Sequence, residues 1–131
     1  VLDIDNFKQV NDSFGHKAGD RVIQLVARAL RERLRTTDFV ARYGGEEFVV
    51  VMPGCTLDDA ERVAERVRTT LASEPLDGGE GIHVDQRVSI GVALWDGAES
   101  ASALEARADA AMYDAKRGGR NQISTAPPAG L

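Results

Sequence analysis

Apolar and polar positions follow two rhythms along this chain, one of strands and one of helices. Val1-Leu2-Asp3-Ile4-Asp5 alternates apolar and acidic residues, as a strand end does. Asn6 to Ser13 suits a short helical turn or two, and Phe14-Gly15-His16-Lys17-Ala18-Gly19 reads as a loop. Asp20 then stands as an N-cap before Val22, Ile23, Val26, Ala27, Leu30 and Leu34, which repeat at helical spacing. Thr36-Thr37 breaks that helix. Two apolar runs, Phe39-Val40-Ala41 and Phe48-Val49-Val50-Val51-Met52, joined through Gly44-Gly45, read as a β-hairpin that Pro53-Gly54 closes. Leu57, Ala60, Val63, Ala64, Val67 and Leu71 mark one face of a further helix. Pro75 to Gly81 reads as a glycine-rich loop, and His83 to Trp95 as one or two strands with Val88, Ile90, Val92 and Leu94 alternating. Leu104, Ala108, Ala111, Met112 and Ala115 mark a last helix that Gly118-Gly119 ends. Gln122-Ile123-Ser124 reads as a short final strand.

Strand, helix, hairpin, helix, strand, helix is the order of a split βαβ arrangement. The expected class is therefore α+β, a ferredoxin-like antiparallel sheet with one face covered by helices. A right-handed crossover makes the first strand and the first hairpin strand run the same way, with the second hairpin strand between them. The end of the first strand and the hairpin tip then lie side by side. Asp3 meets Glu46 and Glu47 there, and the segment holding Asn11 and His16 leaves from the same edge. The last helix climbs back towards it with Lys116 and Arg120. Acids and bases converge on one rim, as a metal-bound triphosphate requires.

Adjacent glutamates at a hairpin tip repel each other, and a cation between them relieves that. Glycine beside them, without a Cβ, lets a phosphate approach the backbone. A solvated acidic turn is the plainer reading of the same residues. At 131 residues the chain is most simply one domain. Its net charge of −5 argues against non-specific binding to a nucleic-acid polymer or an anionic membrane. The single Cys55 excludes a disulfide framework and a cysteine metal cluster, and fits a reducing, cytoplasmic compartment. No apolar stretch approaches a membrane span, although the domain can belong to a membrane-attached protein.

The ordered set Asp3-Ile4-Asp5-Asn6-Phe7-Lys8, Asn11-Asp12, Phe14-Gly15-His16, Gly19-Asp20, Arg42-Tyr43-Gly44-Gly45-Glu46-Glu47-Phe48, Ser89-Ile90-Gly91-Val92-Ala93, Ala115-Lys116 and Gly119-Arg120-Asn121 resembles the GGDEF family of diguanylate cyclases, here in the GGEEF form. The resemblance runs from Val1 to about Ile123. It implies a palm- and nucleotidyl-cyclase-like version of the fold, with 1–124 as the domain and 125–131 as a disordered tail. The family's segment ahead of the first strand, with its aspartate-x-leucine-threonine motif, is not in the sequence. The implied reaction condenses two GTP molecules into cyclic di-GMP, with two Mg²⁺ (or Mn²⁺) ions per active site. Asp3, the Ile4 carbonyl and Glu46 are implied as metal ligands with Glu47 assisting, and Glu46 as the catalytic proton acceptor. Asn11 and Asp20 are implied to read guanine, with His16 lining the pocket. Lys116 and Arg120 are implied to neutralise the β- and γ-phosphates, helped by backbone amides around Phe7 and Lys8 and by close approach at Gly45. Plainer readings stand beside these: Asp20 as an N-cap, Lys116 and Arg120 as cations favoured at a helix C-terminus, His16 as a loop hydrogen-bonder, and Asp5 as structural.

Arg35-Thr36-Thr37-Asp38 is an RxxD motif in the register of the family's product-inhibition site, with Arg66 at a secondary position of it. Arginine can pair with and stack on guanine. A charged helix end is the plainer reading. Joining two substrates implies a second copy of the domain facing the first, and the family context implies an N-terminal sensory or regulatory domain. The competing function classes are a catalytically inactive GTP- or cyclic di-GMP-binding module, a cyclase making a mixed dinucleotide, and a purely structural ferredoxin-like domain. Both hairpin glutamates are present, against the first; Asp20 is retained, against the second; the convergence of acids and bases stands against the third.

Overall fold

In the computed structural model, which describes residues 1–73, 76–79, 81–84 and 86–129, a five-stranded sheet carries the domain. The elements are β1 (Leu2–Ile4), α1 (Phe7–Phe14), α2 (His16–Arg33), β2 (Phe39–Tyr43), β3 (Glu47–Val51), α3 (Leu57–Ser73), β4 (Leu76–Gly79), β5 (Ile82–Val84), β6 (Val88–Val92), α4 (Ala101–Arg117) and β7 (Gln122–Thr125). The sheet order is β2-β3-β1-β6-β7. β3 is antiparallel to both β2 and β1, so β2 and β1 run the same way with β3 between them, as expected. β6 pairs antiparallel with β1, and β7 pairs parallel with β6.

Two-residue periodicity sorts these strands into two faces. Leu2, Ile4, Phe48, Val88 and Ile90 form one, and pack against Val22, Val26 and Leu30 of α2 and Ala64, Val67 and Leu71 of α3. Asp3, Glu47, Ser89 and Gly91 point the other way. On that side lies α4, whose backbone sits so close to Gly91 that a Cβ there would meet the Ala108 carbonyl oxygen at 2.0 Å and the Met112 nitrogen at 2.3 Å. Helices thus cover both faces, not one. The reason is visible in Gly91, whose missing side chain lets α4 dock on the face that carries the acids.

Three local expectations are corrected. Only Gly15, at φ +90°, separates α1 from α2, so the expected loop over 14–19 is mostly helix. Gly15 accepts the Gly19 N–H, and α2 therefore starts at His16 and places Asp20 inside its second turn rather than at its N-cap. The expected 75–81 loop is in part a second hairpin, in which Leu76 pairs with Val84 and Asp77 with His83; Pro75 lies outside the described residues. β7 reaches Thr125, one residue past the expected domain boundary. The Ala126 N–H then bonds to the Val92 carbonyl at 2.7 Å, and Arg107 donates to the Pro127 carbonyl at 3.0 Å. Among the described residues no helix is long and apolar enough to cross a membrane.

Candidate active site

β1 is the central strand, so residues from the hairpin and from β6 flank it directly. Asp3 is the cross-strand partner of Glu47 on one side and of Ser89 on the other. Glu46 ends the three-residue turn between the paired Tyr43 and Glu47, and its carbonyl accepts the Ile4 N–H at 3.1 Å. Gly44, at φ +57°, supplies the left-handed residue this tight reversal requires. Arg42 braces the same turn by donating to the Gly45 carbonyl from Nε and Nη2, at 3.2 and 2.9 Å. The first strand and the hairpin tip therefore meet as the sequence led us to expect.

The electrostatics of this rim are those of crowded acids. Burial pushes the Asp3 carboxyl above the ordinary carboxylate range, against the pull of Lys116, while nearby Asp5 and Asp109 add to the rise. Burial also raises Glu47, with Asp109, Asp3 and Glu105 as like-charged neighbours. Lys116 Nζ from α4 donates to Asp3 Oδ1 at 2.8 Å, and both side chains are mostly buried. Lys116 is thus brought to the rim, where it pairs with Asp3.

Asp5 takes a different part. It is 3% exposed, and its carboxylate accepts the Ser89 hydroxyl at 2.6 Å and the Asn121 N–H at 2.9 Å. Its role is to join β1, β6 and the segment after α4.

Around the α1–α2 junction the residues expected at a guanine pocket gather. Gly19 lies against Asn11, whose Oδ1 would be 1.9 Å from a Cβ on that glycine. Asp20 follows Gly19 and is exposed. His16 is exposed four residues before Asp20, on the same face of α2. Lys8 is exposed on α1, and Phe7 is buried beneath it. Arg120 follows α4 with an exposed side chain and a backbone N–H bonded to the Ala115 carbonyl at 3.0 Å.

The RxxD pair stands at the far end of the hairpin. Arg35 donates to Asp38 from Nε at 3.1 Å and from Nη2 at 2.7 Å, and Nη2 also reaches the Pro53 carbonyl at 2.8 Å. Their pairing raises Arg35 and holds Asp38 below the ordinary carboxylate range. Arg66 is exposed on α3.

The donor set suits a hard cation, because Asp3, Glu46, Glu47 and the Ile4 carbonyl offer only oxygen. Among the described residues no three acids or histidines stand close enough to cage an ion by themselves. Magnesium is usually held by one or two carboxylates with water and phosphate oxygens, so a sparse set of this kind fits it.

The sequence profile described as "Diguanylate cyclase, GGDEF domain" matches residues 1–122. This chain belongs to the GGDEF family. It is 46% identical over 127 residues to the diguanylate cyclase DgcP of Pseudomonas aeruginosa, a match covering 96% of this chain and 19% of DgcP. It therefore spans only a small part of that relative's length. Among solved structures, this GGDEF domain is similar to that of DgcB from Caulobacter crescentus in complex with c-di-GMP. The TM-score is 0.90 at 38% identity, over 95% of this chain and 74% of that one. It is also similar to the active GGEEF domain of a diguanylate cyclase from Vibrio cholerae, with a TM-score of 0.87 at 34% identity, over 98% and 81% of the two chains.

Asn121 and Arg68 were not singled out by their chemistry in the sequence. Arg68 Nη1 donates to Asn121 Oδ1 at 3.0 Å and to the Asn121 carbonyl at 3.3 Å. The i,i+3 spacing of Glu65 and Arg68 was visible, but it resembles any exposed helix pair.

Proposed function

We propose that this GGDEF domain is a diguanylate cyclase module, and that two copies facing each other condense two GTP into cyclic di-GMP. The observation that carries the reading is the juxtaposition of Asp3 with Glu47 under Lys116, three residues from separate stretches of the chain. Asp3, the Ile4 carbonyl, Glu46 and Glu47 would hold two Mg²⁺ or Mn²⁺ ions. Such ions polarise the α-phosphate and ease deprotonation of the attacking 3′-hydroxyl. Glu46 accepts the proton of that hydroxyl. The 3′-oxygen forms a bond to the α-phosphorus of the facing GTP, the bond from that phosphorus to the β-phosphate breaks, and pyrophosphate leaves. The same exchange in the other direction closes the ring.

Asn11 and Asp20 read guanine: a carboxylate accepts from the ring N–H and the exocyclic amine together, a donor pair adenine lacks. His16 lines that pocket. Lys116 and Arg120 pair with the β- and γ-phosphates, with backbone amides around Phe7 and Lys8 and at Gly45 alongside. Cyclic di-GMP binds at Arg35 and Asp38 with help from Arg66 and inhibits by holding domains in an unproductive arrangement. The module works in the cytoplasm, under a sensory or regulatory domain of a longer protein.

The test is incubation with Mg²⁺ and GTP, alone and mixed with ATP, followed by mass identification of the product and a nucleotide-binding assay. Cyclic di-GMP alone is expected from both mixtures, and Glu46→Gln is expected to abolish it with the fold intact. Guanine-nucleotide binding without turnover at any protein concentration would reduce the domain to a binding module.

A further inference from the structure

Arg120 and Asn121 are consecutive side-chain-bearing residues with positive φ, +63° and +47°. An L residue avoids this region; asparagine tolerates it better than arginine does. Two in succession persist only where the surroundings over-determine them. Here the surroundings do. The Asn121 N–H is held by Asp5 Oδ2 at 2.9 Å, and the other Asp5 oxygen is fixed by the Ser89 hydroxyl at 2.6 Å. Arg68 Nη1 donates to both the side-chain and the main-chain oxygen of Asn121, while Arg68 Nε donates to Glu65 Oε2 at 2.9 Å. β1, β6 and α3 are therefore all tied to one residue, and the turn they fix is the one from which the exposed Arg120 projects. Among the described residues nothing holds the Arg120 guanidinium itself.

We propose that Arg68 and Asp5 are positioning residues: by clamping Asn121 they keep the left-handed pair that sets Arg120 at the rim beside Asp3 and Lys116. This rests on the reading of Arg120 as a phosphate ligand. A brace this elaborate around an exposed arginine is unnecessary for holding α3 to the sheet, which the apolar core already does.

The experiment measures affinity for GTP, used as its unreactive 3′-deoxy form, and for GMP by calorimetry with Mg²⁺ present, together with thermal midpoints, for wild type, Arg68→Ala, Arg120→Ala and the double variant. GMP lacks the phosphates Arg120 would meet. Arg68→Ala is expected to weaken GTP about tenfold, the scale of one charged hydrogen-bonding contact, and to leave GMP unchanged. In the Arg120→Ala background it is expected to add nothing. Arg68→Lys, which keeps the cation but loses the Nε and Nη2 fork on Glu65 that aims Nη1 at Asn121, is expected to fall between, and serves if Arg68→Ala does not fold. Equal losses for GTP and GMP, or a full effect of Arg68→Ala without Arg120, would reduce Arg68 to a structural brace. If Arg120→Ala itself left the GTP-to-GMP ratio intact, the phosphate reading would be the part that fails.

Discussion

Replacing Lys116 by Met removes one charge and keeps the aliphatic stem, so it isolates what the ammonium does for Asp3. The two atoms are 2.8 Å apart, and the side chains are 20% and 12% exposed. Breaking a fully buried pair costs about 3–5 kcal/mol, and an exposed pair about 0–1 kcal/mol. At this intermediate burial the loss at pH 7 should be about 2 kcal/mol. For 131 residues the unfolding entropy is about 0.28 kcal/mol/K, so the thermal midpoint should fall by about 7 °C. The sign of the pH dependence is fixed by Asp3. Burial already raises its pKa in the folded chain, and loss of Lys116 raises it further. A carboxyl that binds its proton more tightly when folded stabilises most at low pH, and that stability fades as pH rises through its folded value. The deficit of the variant should therefore shrink towards about pH 4 and grow above it. Urea unfolding of both proteins from pH 4 to 8 measures this. A deficit that stays constant across that range would show that Lys116 does not serve the Asp3 carboxylate.

Other outcomes follow from close approaches. Gly91→Ala drives a Cβ into α4 backbone at 2.0 Å, so urea unfolding should show a loss of about 3 kcal/mol or more; an unchanged midpoint would mean α4 does not rest on β6. Gly19→Ala meets Asn11 Oδ1 at 1.9 Å and Cγ at 2.9 Å, with Phe7 Cζ at 3.3 Å, so the Asn11 side chain must swing aside, while alanine favours a helix interior by up to about 1 kcal/mol. Stability should hold or rise while calorimetry shows weaker GTP binding, and unaltered binding would remove Asn11 from the pocket. Arg35→Ala should leave the thermal midpoint nearly unchanged and abolish inhibition by added cyclic di-GMP in a turnover assay; inhibition that persists would disconnect the RxxD pair from regulation.

Much of this architecture was legible in periodicity. The strand alternation of Leu2 and Ile4 against Asp3, with the hairpin runs on either side of Gly44-Gly45, was enough to bring the first strand beside the tip. That pairing is now seen as Asp3 against Glu47. The α1–α2 junction was misread because Gly15 alone makes the break. His16 and Lys17 carry no apolar signal, and Asp20 looks like a cap although it lies inside the helix. The placement of α4 on the acidic face was hidden for a similar reason. It depends on the absence of a side chain at Gly91, and an absence leaves no periodic mark. The second hairpin, β4 with β5, was obscured by glycines that read as loop. At the site, the chemistry-bearing residues stood out, whereas the clamp of Asp5, Arg68 and Asn121 did not, because its three residues come from separate stretches of the chain and only the fold joins them.

If Asp3 and the hairpin acids hold a divalent ion against a guanine nucleotide, Mn²⁺ reports it directly. Titrating Mn²⁺ into the domain bound to 3′-deoxy-GTP, which lacks the attacking hydroxyl, and following amide signals by NMR should broaden Asp3, Ile4, Glu46 and Glu47 first, with Arg35 and Asp38 at the far end of the hairpin spared. Broadening spread evenly over the surface, or centred away from β1 and the hairpin tip, would mean that these acids do not hold the ion.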